Sequence, residues 1–427
     1  MTARDALDLV PFGRNNRVAD ACPRRVCLHI GEPKTGTSYL QGSLWSNRIP
    51  LTAQGVVLPG YNRQDHNRAS RDIREARRAP SDPADSWVGE WDVLIGQALR
   101  GSGTAVISDE ILAACNPPQA DRALRSLASA EVHIILTVRD FASLLPAEWQ
   151  ESVKCRGTVP WEAWLDAVID AGPAADRRRR SWFWTVHDTL ANLDMWSQNI
   201  PPDHVHVITV PPHGAPDLLW VRFASVLGID PDCIDLAEAR VNTSLGLPEA
   251  EFLRRFNEAL PEDVPYWFYT RDIKRILALD LLRSRPRQLR LGLPPNREAW
   301  AREQSEILVD GLREAKYDIV GDLDELLSAP ATGSYAGPAD QPPEQLAQAA
   351  VDVAAALMHC LYLEKNHPVR RRQSPGGPRK AISQLKWLVL NGPWTRRALR
   401  DASHLAAVRH LRIVIWRVLI HPARHRP

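Results

Sequence analysis

The stretch from residue 25 to residue 41 constrains the fold more than any other part of the chain. Residues 25–30 form a short apolar run with β-branched members, which is typical of a buried strand. A tight turn is then indicated by three residues: Gly31, Pro33 and Gly36. Residues 37–47 carry leucines one helical turn apart. The pattern predicts a strand, a loop and a helix in direct succession.

This loop has the composition of an anion-binding site. Lys34 supplies an ammonium group, and the hydroxyls of Thr35, Thr37 and Ser38 surround it. A helix that begins here directs free backbone N–H groups and the positive end of its dipole toward the loop. A generic turn would need the glycines but not the lysine and hydroxyls in the same register. The loop therefore predicts a site for a phosphate-like or sulfate-like anion.

The position of the lysine separates this loop from the P-loop of nucleoside triphosphatases. Gly31 and Gly36 match G-x-x-x-x-G, but Thr37 occupies the place of the P-loop lysine. The lysine comes earlier, at Lys34. The run Gly-Glu-Pro-Lys-Thr-Gly-Thr-Ser after a strand resembles the 5′-phosphosulfate loop of sulfotransferases that use 3′-phosphoadenosine 5′-phosphosulfate (PAPS).

A second motif extends the resemblance to residues 24–328. The run Leu-Thr-Val-Arg-Asp at 136–140 is similar to the family's 3′-phosphate motif, in which an arginine at a strand end binds the cofactor. That arginine is Arg139 here. The family's serine eight residues later is replaced by Ala147, and Ser143 is the nearby substitute. The run from residue 149 to 154, Trp-Gln-Glu-Ser-Val-Lys, looks most like bacterial sulfotransferase-like proteins.

The resemblance implies a set of site residues. Cofactor binding falls to Lys34, Thr35, Gly36, Thr37, Ser38, Arg139 and Ser143. Lys34 would also stabilise the leaving phosphate without a metal ion. Glu110, which follows a central strand, is the candidate general base for the acceptor proton. Capping of the next segment by Asp109 or Glu110 is the simpler interpretation of these acids.

The wider pattern predicts an α/β fold with a central, mainly parallel sheet flanked by helices. Apolar runs at 104–108, 131–138 and 204–209 predict further buried strands, each followed by a helix. Ligands of such sheets bind at the carboxyl ends of the strands. Lys34, Glu110 and Arg139 each lie just past a predicted strand, so we expect them to converge.

Charge and linker composition predict the domain organisation. The predicted parts are a mobile leader (1–23), the α/β domain (24–328), a linker (329–344), a helix (345–368) and a basic amphipathic helical tail (369–427). Residues 370–427 hold 14 of the 53 Lys and Arg residues and one of the 51 acids. Such a tail is suited to an anionic membrane surface or to packing on the domain with its arginines outward. No nucleic-acid-binding motif accompanies the charge.

The remaining composition indicates a cytoplasmic protein, peripheral to the inner membrane face if the tail binds lipid. The six cysteines form no C-x-x-C pair, so neither a zinc site nor a disulfide framework is indicated. The N-terminus lacks the pattern of a signal peptide, and no apolar run is long enough for a transmembrane helix.

The predicted function is transfer of a sulfuryl group from PAPS to a hydroxyl or amine. The acceptor stays open among small molecules, carbohydrates and lipids. One alternative is a P-loop NTPase or kinase that uses Asp109 and Glu110 with magnesium. Another is a homologue that binds PAPS, or its product 3′-phosphoadenosine 5′-phosphate (PAP), without turnover. Trp149 is a candidate for stacking on adenine, whereas His29 and His133 are interpreted as core histidines.

Overall fold

A computed structural model describes residues 24–75, 87–173, 180–211, 215–236, 244–282, 290–327 and 335–366. The predicted leader (1–23) and basic tail (369–427) lie outside these residues, and the predictions made for them stay predictions. Residues 329–334 of the predicted linker (329–344) are outside them too, whereas 335–344 are described.

The sheet confirms the predicted α/β fold. Six strands are present in the described part of the chain: β1 (Arg24–Gly31), β2 (Val56–Val57), β3 (Thr104–Ser108), β4 (Ala130–Val138), β5 (Val205–Thr209) and β6 (Asp318–Val320). Their order is β2-β3-β1-β4-β5-β6, and every pairing is parallel. The short edge strand β6 was not predicted from the sequence.

Helices cover both faces of the sheet. They are α1 (Thr37–Ser46), α2 (Arg48–Ala53), α3 (Arg63–Ile73), α4 (Glu90–Ala98), α5 (Pro117–Ser126), α6 (Phe141–Lys154), α7 (Trp161–Ala171), α8 (Trp182–His187), α9 (Thr189–Trp196), α10 (Pro216–Leu227), α11 (Leu247–Ala259), α12 (Tyr266–Phe268), α13 (Pro295–Glu314) and α14 (Pro343–Asn366). A π-helical segment, Tyr269–Leu281, continues α12, and a 3₁₀ turn, Glu110–Ala114, follows β3. None of the described helices is both long and apolar enough to cross a membrane.

The core lies in two layers because successive side chains of a strand point to opposite faces. Val26, Leu28 and Ile30 of β1 enter the larger cluster, whereas Cys27 between them enters the smaller one on the other face. Helix α14 contributes Leu346 and others to the larger cluster. The helix predicted at 345–368 therefore packs into the same core as the sheet.

The strand order places three loop segments side by side. β1 pairs with β3 on one side and with β4 on the other. At the carboxyl edge, the Asp109 amide donates to His29 O (3.1 Å) and the Glu32 amide donates to Thr137 O (3.2 Å). The loop after β1 thus lies between the segment that begins at Asp109 and the segment that begins at Arg139, as the sequence predicts.

Candidate functional site

The loop after β1 leads directly into the N-terminus of α1. Gly36 precedes the helix with a φ of 88°, and no side chain caps the first turn. A Cβ at Gly36 would clash with Leu219 Cδ2, so a larger residue would need a strained backbone and a shifted Leu219 side chain. Lys34 also adopts a positive φ, of 62°, which is uncommon for a residue other than glycine. The loop is therefore held in one specific conformation.

The threonine and serine hydroxyls of the loop divide into two groups. The Thr35 hydroxyl is buried, donates to Glu32 O (2.6 Å) and lies 2.5 Å from Thr137 Oγ1. Thr35 thus holds the loop against β4 through its buried hydroxyl, and its predicted role in cofactor binding stays a prediction. Among the described residues, no hydrogen bond engages the Thr37 or Ser38 hydroxyl. These two remain the loop hydroxyls available to an anion.

Three lysines surround one carboxylate beside the loop, and we call this group the lysine cluster: Lys34, Lys154, Lys274 and Glu151. Lys34 Nζ lies 2.6 Å from Glu151 Oε2, and Lys274 Nζ lies 2.6 Å from Oε1. Lys154 Nζ lies 3.6 Å from Oε2. Within the described ranges, every salt bridge of these lysines goes to Glu151. The cluster therefore carries more positive than negative charge.

Burial makes this charge excess significant. Burial raises the pKa of Glu151, but the three ammonium groups outweigh it and hold that pKa well below its usual range. Burial and the charge of Lys34 lower the pKa of Lys154 to about 8. Two lysines in excess of one carboxylate are costly away from water. A bound anion would offset that cost.

Arg139 lies at the end of β4, beside the same loop. Its Nη1 is 3.5 Å from Lys34 O, which is at the limit of a hydrogen bond. Burial lowers the pKa of Arg139, and Asp140 opposes the shift. No ion pair engages this guanidinium within the described residues. Arg139 thus offers an underused bidentate donor for a phosphate.

The first turns of α6 hold the predicted second phosphate ligand. The Ser143 amide donates to Asp140 Oδ1 (2.8 Å), which caps the helix. Ala147 lies one turn further along the same face, and both side chains are half-buried. The structure leaves the predicted role of the Ser143 hydroxyl untested.

The two acids after β3 differ in environment. Asp109 is buried, and its oxygens accept from the Ile111 amide (3.1 Å) and from Asn67 Nδ2 (3.1 Å), so it caps the 3₁₀ turn. Glu110 is partly exposed, with Oε2 accepting from Gln41 Nε2 at 2.9 Å. Glu110 packs closely on the start of the loop, since a Cβ added to Gly31 would lie only 3.2 Å from the Glu110 Cα. Glu110 therefore borders the loop, while Asp109 supports it.

Asp109 should make the stability of the protein dependent on pH. Burial, and then the charge of Glu110, raise the pKa of Asp109 to about 7. Because the pKa of Asp109 is higher in the folded chain than the 3.8 of an exposed aspartate, the fold favours the protonated carboxyl. The stabilisation is complete below about pH 3.8 and is lost as pH rises through about 7. We therefore expect Asp109→Asn to gain stability relative to the natural chain between pH 5 and pH 8, measured by urea unfolding. Asp121→Asn on α5, which is exposed, is the control, and an equal pH response of both variants would contradict the assignment.

Glu32, His187 and Glu148 form a buried ionic triad that supports the loop, and sequence reasoning missed it. Glu32 accepts from the Thr189 hydroxyl (2.6 Å) and lies 3.2 Å from His187 Nδ1. His187 Nε2 lies 3.7 Å from Glu148 Oε2. Burial alone lowers the pKa of His187, but the two carboxylates outweigh it and raise that pKa to about 9. His187 is therefore an imidazolium at neutral pH and ties the loop to α6 and α9.

Two further sequence interpretations concern aromatic residues. Trp149 is fully buried, donates from Nε1 to Val159 O (3.1 Å) and packs against Trp161. The suggestion that Trp149 stacks on adenine is therefore wrong. His29 is a core residue, as predicted: its Nδ1 lies 2.7 Å from Ser108 Oγ, and burial lowers its pKa to about 3.

Comparison with known proteins adds one similarity. No protein-family model and no curated protein matches the chain. Among solved structures, the chain is similar to a sulfotransferase from Alicyclobacillus acidocaldarius, at 18% identity and a TM-score of 0.34, covering 51% of this chain and 87% of that chain. A similarity at this level carries no argument about activity, so any functional conclusion depends on the site itself.

Proposed function

We propose that the protein is a sulfotransferase that transfers the sulfuryl group of PAPS to a hydroxyl or amine of an acceptor. The observation that carries this proposal is the excess of buried positive charge around the loop. Three lysines share Glu151, and Arg139 has no ion-pair partner in the described part of the chain. Such a site favours a ligand with several anionic groups, and PAPS carries a phosphosulfate and a separate 3′-phosphate.

The two parts of the site suit the two ends of that ligand. The loop offers the Thr37 and Ser38 hydroxyls, uncapped amides at the start of α1, and Lys34. These donors fit a phosphosulfate. Arg139 lies at the neighbouring strand end, and its planar fork matches the oxygens of a phosphate monoester. With Ala147 in place of the family's serine, Arg139 would contribute most of the 3′-phosphate binding.

The proposed reaction assigns one task to each polar group. PAPS supplies a sulfuryl group attached to a phosphate leaving group. Glu110 accepts the proton of the acceptor as its oxygen or nitrogen attacks sulfur, and Gln41 holds the carboxylate in place. Lys34 and the N-terminus of α1 stabilise the charge that grows on the departing phosphate oxygen. Lys154 and Lys274 balance Glu151 when Lys34 turns toward the ligand.

The NTPase alternative is less well supported by the geometry. A magnesium site would require open carboxylate oxygens on Asp109 or Glu110. Both Asp109 oxygens already accept hydrogen bonds, from the Ile111 amide and from Asn67. Thr37 stands where the P-loop lysine would be.

Binding of PAP tests the proposal without knowledge of the acceptor. We expect metal-independent binding of PAP in calorimetry, weakened roughly 10-fold to 100-fold by Lys34→Ala and by Arg139→Ala, since each removes a charged hydrogen-bond donor. Lys316→Ala and Arg125→Ala, at exposed positions, are the matched controls and should bind like the natural chain.

Titration with ATP and magnesium in parallel separates the two enzyme classes. Binding of ATP–magnesium without binding of PAP would move the protein to the NTPase class and recast Asp109 and Glu110 as magnesium-side acids. Binding of PAP that neither Lys34→Ala nor Arg139→Ala weakens would contradict the assignment of the site.

A further inference from the structure

A group of histidines and acids lies at the amino edge of the sheet, opposite the loop. We call it the histidine cluster: Glu131, His133, His204, His206 and Asp318. Glu131 and His133 are near the start of β4, His204 directly precedes β5, His206 lies at the start of β5, and Asp318 begins β6. His133 stacks on His204, with ring centroids 4.1 Å apart, and its ring is nearly parallel to that of His206, with centroids 5.1 Å apart. The proposed sulfotransferase site uses none of these residues.

Three atoms of the cluster are arranged as metal ligands. Glu131 Oε1 lies 2.8 Å from His133 Nε2 and 4.0 Å from His204 Nε2. One ligand atom from each of these residues lies within 4.8 Å of the others. A zinc ion binds imidazole nitrogen and carboxylate oxygen at about 2.0–2.2 Å, so small rotations of the partly exposed Glu131 and His204 would bring all three into its first shell.

The hydrogen bonds of the cluster leave one position for a cation. A chain of three short contacts joins two carboxylates: Asp318 to His206 (2.6 Å), His206 to His133 (2.8 Å) and His133 to Glu131 (2.8 Å). Carboxylates only accept, so three contacts need three N–H protons, whereas two neutral imidazoles supply two. If Asp318 orients His206 and His206 orients His133, the lone pair of His133 Nε2 faces Glu131. Either an added proton on His133 or a metal ion bound by both atoms satisfies this pair, and zinc binding distinguishes the two.

The surroundings match a metal site in a second respect. The imidazole that binds a metal commonly donates its other N–H to an oriented partner, which fixes the tautomer. His133 Nδ1 lies against His206, which Asp318 orients in turn. Arg25 is the positive charge beside the cluster, and it donates at 2.9 Å to Val226 O, with a longer approach of 3.3 Å to His133 Nδ1.

We propose that Glu131, His133 and His204 bind one divalent transition-metal ion, with Zn²⁺ the expected occupant. Imidazole and carboxylate ligands suit zinc, and three protein ligands leave a fourth position for water. The ion would join β4 to the segment that begins β5 at the sheet edge remote from the lysine cluster. The ion would stabilise the fold and would take no part in sulfuryl transfer.

The test is zinc binding by the full-length chain, purified without a histidine tag and treated with a chelator. We expect one equivalent of Zn²⁺ to bind in calorimetry and to raise the midpoint of thermal unfolding. His204→Ala and Glu131→Gln, at partly exposed positions, should abolish this binding while the variants stay folded. Asp318→Asn should weaken it by about 10-fold to 100-fold, because it removes the outer hydrogen-bond partner.

His359→Ala, at an exposed histidine of α14, is the matched control and should bind zinc like the natural chain. Absence of stoichiometric zinc binding would overturn the proposal. So would binding that survives both His204→Ala and Glu131→Gln, because the ion would then lie elsewhere in the chain. Cobalt substitution adds a spectroscopic check, since a tetrahedral site with nitrogen and oxygen ligands should give visible absorption that His204→Ala removes.

Discussion

Replacement of Glu110 by glutamine should lower the turnover number for sulfuryl transfer by about 100-fold to 10,000-fold, the usual contribution of a general base. Glutamine keeps the size of the side chain but cannot accept the acceptor proton. Glu110 borders the start of the loop, and Gln41 orients its carboxylate. The measurement is release of PAP from PAPS in the presence of a panel of hydroxyl and amine acceptors.

A measurement of PAP binding by Glu110→Gln distinguishes loss of the general base from damage to the cofactor site. Glu110→Gln should bind PAP within about 3-fold of the natural chain, because the proposed mechanism assigns Glu110 to the acceptor and an uncharged replacement removes no phosphate donor. Asp109→Asn is the neighbouring control, and its turnover should change far less, since Asp109 caps the 3₁₀ turn. Turnover of Glu110→Gln equal to that of the natural chain would exclude Glu110 as the base. A natural chain that binds PAP but transfers nothing would support the non-catalytic alternative.

The sheet could be predicted from the sequence because its central strands are continuous apolar runs. Residues 105–108 and 132–138 are buried on both faces, and such strands leave a clear local signal. The predicted convergence of Lys34, Glu110 and Arg139 followed from parallel pairing alone. The edge strand β6 has only three residues, none of them buried, and begins with an aspartate, so no comparable signal marks it.

The charged groups around the loop could not be predicted, since their partners are distant in sequence. Helical spacing brings Glu151 and Lys154 to the same side of α6. Lys34 and Lys274, however, lie 117 and 123 positions from Glu151. Only the packing of α6 against the π-helical segment and the loop brings them together. The same reason hid the partnership between Glu32 and His187, 155 positions apart.

The wrong prediction that Trp149 stacks on adenine has a different cause. An indole at the start of a cleft is suited to stacking on a base, and the sequence does not reveal which side of α6 faces the cleft. In the fold, Trp149 packs on Trp161 and donates to Val159 O, so α6 directs it into the core. Glu151, two positions later, is on the side that meets Lys34.

Replacement of His187 by glutamine should destabilise the protein by about 3–5 kcal/mol at pH 6, the usual cost of removing one partner of a buried ion pair. Glu32 and Glu148 would be left as buried acids without their shared cation. The free energy of unfolding in urea is the measurement. We also expect weaker binding of PAP, because Glu32 belongs to the loop and would lose its anchor.

The pH dependence of the free energy of unfolding tests whether the charge of His187 causes this stabilisation. The carboxylates raise its pKa to about 9, so its stabilising contribution is complete below about pH 6.5 and is lost as pH rises through about 9. The stability difference between the natural chain and His187→Gln should therefore shrink between pH 6 and pH 10. His66→Gln is the matched control, since burial lowers the pKa of His66 to about 4, so both its folded and unfolded forms are neutral above about pH 7.5 and its loss should cost the same from there to pH 10. A constant difference for His187→Gln would show that His187 acts by packing alone.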